Sequence, residues 1–174
     1  MIREFSAKAK PSNNKAKIVF YTLLSLAALT VAVYMLMDKY KGLIGLLTVS
    51  LITAAVLIYT RYVSSEYYYD VTFDHTGAPV FVVRQVTGKR ESTLARIGIA
   101  EITSVTEEDR EERRTHKTPM GFRKYVYTPT LSPDKTLRIT SHSPYEKAEI
   151  VIEASGELAE LLISYAEEAR EQGF

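Results

Sequence analysis

The side chains that could do chemistry are densest in one run, Glu107–Lys117, with the sequence EEDREERRTHK. The run holds five acidic and four basic residues, so its charges nearly cancel. Opposite charges four positions apart, such as Asp109 and Arg113, pair along one face of an exposed helix. The run therefore predicts a solvated loop or a short exposed helix. A docking loop for a partner is the functional alternative.

Some cations in and just after this run could form a local basic patch within an acidic part of the chain. A basic patch of this kind would attract an acidic protein surface or anionic lipid. The candidate contact residues for a protein partner or lipid are Arg113, Arg114, Lys117, Arg123 and Lys124.

Residue types suited to catalysis or metal binding lack the required spacing. His75, His116 and His142 are not spaced with a second metal ligand, and the chain contains no cysteine. Neither a G-x-G-x-x-G sequence nor a Walker phosphate loop occurs. We therefore expect no catalytic residue, no metal site and no cofactor. The sequence favours a protein that is not an enzyme, with an enzyme of unrecognised type as an alternative.

Charge is unevenly distributed along the chain. Residues 1–63 hold eight Lys and Arg against two Asp and Glu, a net charge of +6, whereas residues 64–174 hold 14 against 19, a net charge of −5. An acidic domain lacks the basic face that neutralises phosphates, so nucleic acid is disfavoured as a partner. Residues 1–17 are basic and rich in polar residues, which predicts a disordered tail.

Two uncharged runs, Ile18–Met37 and Gly42–Thr60, predict a transmembrane helical hairpin over residues 18–63. Each run is long enough to cross a hydrocarbon core of about 30 Å as a helix. Two buried core helices are disfavoured because neither run has a polar stripe. A cleaved signal peptide is disfavoured because the first run is too long and a second span follows at once.

Small residues four positions apart predict where the two helices meet. These residues are Ala28 and Ala32 in the first helix, and Ser50 and Ala54 in the second. Six Lys and Arg flank the outer ends of the spans, and two lie in the short loop between them. The excess predicts a multi-pass protein of the cell membrane with both termini in the cytoplasm.

After Val63 the pattern changes to short alternating stretches separated by Gly, Pro, Asp and Ser, which predicts strands. The seven predicted strands are Glu66–Asp74, Val80–Thr87, Glu91–Arg96, Ala100–Val105, Phe122–Tyr127, Thr136–Ser141 and Lys147–Ala154. A closing amphipathic helix follows, with Ser155 as its cap. Its predicted apolar face consists of Leu158, Leu161, Leu162, Tyr165, Ala166 and Ala169.

This order resembles the pleckstrin-homology (PH) superfold over residues 66–172. The residues that carry the resemblance are YYYDVTFD at 67–74, the turn at Gly88, and the spaced apolar residues Leu94, Ile97, Ile102 and Val105. With two spans in front, the chain resembles the bacterial PH-like (bPH) membrane proteins. The resemblance implies an α+β domain over residues 64–174, in which an antiparallel sheet of about seven strands is closed by a C-terminal helix.

The first predicted hairpin of this domain, Val71–Arg84, contains one cation. Lipid-binding PH domains carry several cations there, so the usual inositol-phosphate site is not expected. The leading hypothesis is a membrane-tethered, non-enzymatic module that mediates protein interaction or self-assembly at the inner membrane face. A lipid or small-ligand sensor at the membrane surface is the alternative.

Overall fold

The computed structural model describes residues 3–9, 14–144, 146–153 and 156–171. The chain forms two compact units. One contains Pro11–Ser65, and the other contains Met1–Lys10 together with Glu66–Phe174.

The first unit is a pair of long apolar helices. Helix α1 spans Asn14–Leu36, a 3₁₀ turn spans Asp38–Tyr40, and helix α2 spans Lys41–Ile58 and continues into a π-helical turn, Tyr59–Val63. The two helical stretches contain 23 and 26 residues and are long and apolar enough to cross a membrane. This confirms the two predicted helices, and α1 begins four residues earlier than expected.

The contact between α1 and α2 is offset from the predicted one. Ala27 and Ala55 are buried, whereas Ala28, Ala32 and Ser50 are exposed and Ala54 is half-buried. The Thr48 hydroxyl donates to the Thr30 hydroxyl across the contact at 2.8 Å. The predicted face was wrong because small residues occur at several phases of both helices, and spacing alone does not select one of them.

The second unit contains two four-stranded sheets and two helices. Sheet 1 has the order β1-β2-β3-β4, formed by Phe5–Ala9, Ser65–Phe73, Pro79–Thr87 and Arg90–Gly98. Sheet 2 has the order β5-β7-β8-β6, in which β5 is Ile102–Asp109, β6 is Arg123–Tyr127, β7 is Lys135–His142 and β8 is Lys147–Ile152. Helix α3 spans Arg110–Thr115 and α4 spans Gly156–Glu171.

All seven predicted strands exist, but their predicted arrangement was wrong. The described residues form eight strands in two sheets rather than one closed sheet of seven. A 3₁₀ turn, Ile99–Glu101, carries the chain from sheet 1 to sheet 2. Strand β8 then inserts between β6 and β7, so that β6 and β8 run parallel. Such an insertion is long-range and leaves no mark in the local alternation of residues.

The additional strand is β1, which lies in the segment expected to be disordered. It pairs antiparallel with β2, with Phe5 opposite Val71 and Ala9 opposite Tyr67. The five residues alternate between half-buried and exposed, as a strand on a half-buried face requires. So short an alternation is a weak signal without the β2 edge that completes it. Pro11, Ser12 and Asn13 lie outside the described residues.

One apolar core lies between the two sheets and α4. Its fully buried members include Tyr69, Phe81, Ile139 and Ile152. The predicted face of α4 is confirmed, with Leu158, Leu162, Ala166 and Ala169 buried and Leu161 and Tyr165 half-buried. The predicted cap, Ser155, lies outside the described residues.

Candidate functional site

The side of sheet 2 that faces away from the core carries a buried ionic cluster. Arg138 lies between Leu137 and Ile139, which point into the core, so its side chain points to the outer face. Its Nη1 donates to Glu149 Oε1 at 2.7 Å, and its Nη2 donates to Glu108. Arg138 and Glu149 are 3% and 1% exposed. One guanidinium thus bonds to two carboxylates from the neighbouring strands.

The segment from α3 to Phe122 covers this cluster. Asp109 and Glu112 form a reciprocal capping box that starts α3. Arg113 then donates to the Pro133 carbonyl at 2.8 Å. His116 Nε2 lies 3.4 Å from Glu149, and Thr118 donates to the same carboxylate at 3.4 Å. The run predicted as a solvated loop or short helix is therefore a short helix followed by a segment that packs onto the sheet.

Both carboxylates of the cluster accept hydrogen bonds from one arginine. Both carboxylates are already engaged by Arg138, so neither is poised as a general base. No group of three or more His, Asp or Glu that could hold a metal occurs among the described residues.

The five predicted contact residues differ in their burial and in their partners. Arg113 is half-buried and bonded to Pro133, and the Lys124 ammonium lies 3.7 Å from Glu149. Arg114 and Lys117 are exposed, and Arg123 is exposed with Glu146 at 3.7 Å. Arg113 is therefore half-buried, whereas the other four cations, Lys124 included, are exposed.

A cleft of about 330 Å³ opens between β4 and β6, where the edges of the two sheets face each other. The Tyr125 and Tyr127 rings stack on one wall with their centroids 6.1 Å apart. Two of the lining side chains, Ile97 and Ile150, also belong to the buried core. The lining includes Leu94, Arg96, Ile97, Tyr125, Tyr127 and Ile150, together with the polar residues Glu101, Ser141, Ser143 and Glu146.

Hydrogen bonds fix the tyrosines of this cleft. The Tyr127 hydroxyl donates to the Leu94 carbonyl at 3.1 Å and joins the two walls. The Tyr125 hydroxyl donates to Glu146 at 2.8 Å at the cleft's rim. The two walls are β4 and β6, which are edge strands of their sheets. Edge strands can bond to a further strand through their backbone groups. The cleft therefore combines apolar surface, fixed aromatic rings and backbone donors and acceptors.

Behind the cleft, Tyr69 ties the two sheets together. Its hydroxyl donates to the Tyr127 carbonyl at 2.8 Å and accepts from the Glu153 amide at 3.2 Å. Burial raises the pKa of Tyr69 above its ordinary value. Burial also raises the pKa of Glu153, although hydrogen bonds from Thr130 oppose this shift.

The outer face of sheet 1 carries a polar ladder that holds β1. Asp70 accepts from Ser6 at 2.5 Å and from Arg84. Lys8 pairs with Glu66 at 2.7 Å, and this pairing raises the pKa of Lys8 and lowers that of Glu66. Asp70 raises the pKa of Arg84, with a smaller contribution from Glu91.

Sequence reasoning missed both the cleft and the ionic cluster. The signal for the cluster was a charged residue inside an apolar strand, as in LRIT at 137–140 and AEIV at 148–151. The signal for the cleft was Tyr125 and Tyr127 two positions apart on one strand face, but the sequence does not show that β4 lies opposite. Comparisons of the chain with protein-family models, with curated proteins and with solved structures give no match.

Proposed function

We propose that α1 and α2 anchor the chain in a cell membrane as a hairpin, with both termini in the cytoplasm. Supporting this, β1 precedes the hairpin, β2 follows it, and the two strands pair in one sheet. Chain segments on opposite faces of a bilayer could not pair in this way. The excess of Lys and Arg at the outer ends of the spans favours the cytoplasmic side.

The second unit then serves as a non-enzymatic interaction module beside the membrane. Its binding site is the cleft between β4 and β6, and its ligand is an extended segment of a partner protein. The observation that carries this proposal is the meeting of two edge strands over apolar side chains and fixed tyrosines. A strand-like peptide would bond to an edge through its main chain and place alternate side chains in the cleft.

A relationship to the PH-like membrane proteins forms part of the same proposal. It is supported by the chain order after β1, which runs from two apolar helices through mostly antiparallel strands to a C-terminal helix packed on the core. PH-like modules serve as scaffolds for several ligand types, so the fold alone does not select a ligand.

Photocrosslinking of the full chain in its native membranes tests the cleft. A benzophenone amino acid replaces Tyr125, which lines the cleft, or Val126, which is exposed on the opposite face of the same strand. We expect discrete protein adducts from position 125 that are absent from position 126. Mass spectrometry of the adducts identifies the partner and the crosslinked segment.

Other outcomes separate the alternatives. Adducts between two copies of the chain would identify self-assembly. Equal labelling from both positions, or none from either, would contradict the cleft as the binding site.

A lipid or small-ligand sensor is the second candidate function. The cleft volume of about 330 Å³ lies at the lower end of the range for small-molecule sites, roughly 300–1,000 Å³. Lipid or small-molecule adducts at position 125, without protein adducts, would favour this function over the protein-binding one.

A further inference from the structure

The turn between β3 and β4 lies at one particular end of sheet 1. Strand β2 begins at Ser65, two residues after Val63, where the π-helical turn after α2 ends. At the opposite end of β2, the Asp74 amide donates to the Ala78 carbonyl and turns the chain into β3. Strand β3 has the same length of nine residues and therefore returns to the Ser65 end.

The register of the other strands places more of the chain at this end. Ala9, the last residue of β1, lies opposite Tyr67. Thr87 and Arg90 face each other across the β3–β4 turn. The turn residues Gly88 and Lys89 therefore lie at the end of the sheet where the chain connects to both apolar helices.

The unpaired charge at this end is positive, whereas residues 64–174 as a whole have a net charge of −5. Glu66 is paired with Lys8 at 2.7 Å, and Glu91 is paired with Arg84 at 2.5 Å. Lys89 and Arg90 are exposed and have no carboxylate within ion-pair distance among the described residues. The acidic groups nearby are thus neutralised, while two cations remain open to solvent.

We infer that Lys89 and Arg90 form a contact site for anionic phospholipid headgroups. The inference rests on the membrane anchoring proposed above and is independent of the cleft. Lys and Arg near an anionic leaflet are attracted to it within a screening length of about 8 Å. Only Ser64 separates the π-helical turn after α2 from β2 along the chain, and the β3–β4 turn lies at the end of sheet 1 where β2 begins. The contact would hold sheet 1 in one orientation over the bilayer.

Lipid-headgroup quenching in nanodiscs tests the site with the full chain. The protein has no cysteine, so a single dye can be placed at Ser92→Cys, which is exposed two residues from Arg90 on β4. A dye at His75→Cys, in the turn at the opposite end of the sheet, is the positional control. The discs contain phosphatidylcholine alone or mixed with phosphatidylglycerol, with a nitroxide quencher on a fraction of the headgroups.

We expect the dye at position 92 to be quenched more strongly in the anionic discs, and the dye at position 75 to show no such increment. The double variant Lys89→Gln with Arg90→Gln should return quenching at position 92 to its value in phosphatidylcholine. Raised salt should do the same. The matched control, Arg110→Gln with Lys147→Gln, removes the same charge at two other exposed positions and should keep the increment.

Three outcomes would overturn the inference. The increment could be absent, it could survive in the Lys89 and Arg90 variant, or the matched control could abolish it equally, which would make it an effect of net charge. Co-elution of protein with the discs reports the anchoring separately. A chain that fails to co-elute would overturn the proposed anchoring and, with it, this site.

Discussion

The outer faces of the two sheets place an arginine between carboxylates in two different environments. On sheet 1, Arg84 lies beside Asp70 and Glu91, and its side chain is 35% exposed. On sheet 2, Arg138 lies between Glu108 and Glu149, and its side chain is 4% exposed. The segment from α3 to Phe122 covers the second face, whereas β1 only borders the first.

The contribution of a charged strand residue to stability therefore depends on whether other parts of the protein exclude water from it. Water reaches the Arg84 and Lys8 side chains of sheet 1, which are 35% and 41% exposed, so each ion pair there contributes little although Asp70 itself is buried. The ions of sheet 2 lie under packed chain, and there the loss of one partner leaves an uncompensated charge.

The largest expected effect follows from Arg138→Ala. The variant leaves Glu108 and Glu149 buried without their shared guanidinium, which should destabilise the protein by about 3–5 kcal/mol. Thermal melting of the full chain in detergent micelles, followed by near-ultraviolet circular dichroism of the tyrosines, measures the loss.

Arg84→Ala is the matched control on sheet 1. It should destabilise by only about 1–2 kcal/mol, because Ser6 still donates to Asp70 and water reaches this face. Equal losses in the two variants would mean that burial does not distinguish the two faces.

The sequence predicts that most of the helices and strands exist. It does not predict which strands lie next to each other. Alternation fixed the face of β2 through Tyr67, Tyr69 and Val71, and a 3.6-residue period fixed the buried face of α4. Those patterns are local. The pairing of β1 with β2 and the insertion of β8 depend on contacts between distant parts of the chain, and local periodicity does not encode them.

The same limit applies to the candidate site. Arg113 and Lys124 were predicted to be contact residues because they are cations in a polar stretch. Their partners, Pro133 before β7 and Glu149 on β8, are distant in sequence, so the sequence alone could not distinguish these two cations from Arg114 and Lys117, for which no such partner is seen among the described residues.

An intermediate effect is expected from Tyr69→Phe, which removes the hydroxyl that joins the two sheets. The Tyr127 carbonyl loses this donor and the Glu153 amide loses this acceptor, at a cost of about 1–3 kcal/mol near neutral pH.

The raised pKa of Tyr69 also predicts that stability depends on alkaline pH. The neutral hydroxyl stabilises the fold fully below the ordinary tyrosine value of 10.0, and that contribution is lost as the pH rises above it.

Melting curves at increasing alkaline pH test this dependence. The parent protein should lose stability more steeply than the Phe variant, so that the two curves converge. Parallel curves would contradict a buried, neutral hydroxyl at position 69.

The smallest effect is expected from Lys8→Ala in the exposed ladder of sheet 1. Lys8 lowers the pKa of Glu66, and Glu66 raises that of Lys8, so the pair stabilises the fold only while both groups are charged. Its contribution is present between the ordinary values of 4.5 for Glu66 and 10.5 for Lys8. It is lost as the pH falls below the first value or rises above the second. The melting temperature should therefore fall less than in Tyr69→Phe, and the difference from the parent should vanish in acid and in high salt.

Lys89→Ala is the control, because Lys89 is an exposed cation of the same sheet with no described carboxylate partner. This variant should melt like the parent at every pH. If Lys8→Ala instead destabilised as much as Arg138→Ala, β1 would be held by a buried contact rather than by a solvated ladder, and the two outer faces would no longer differ in kind.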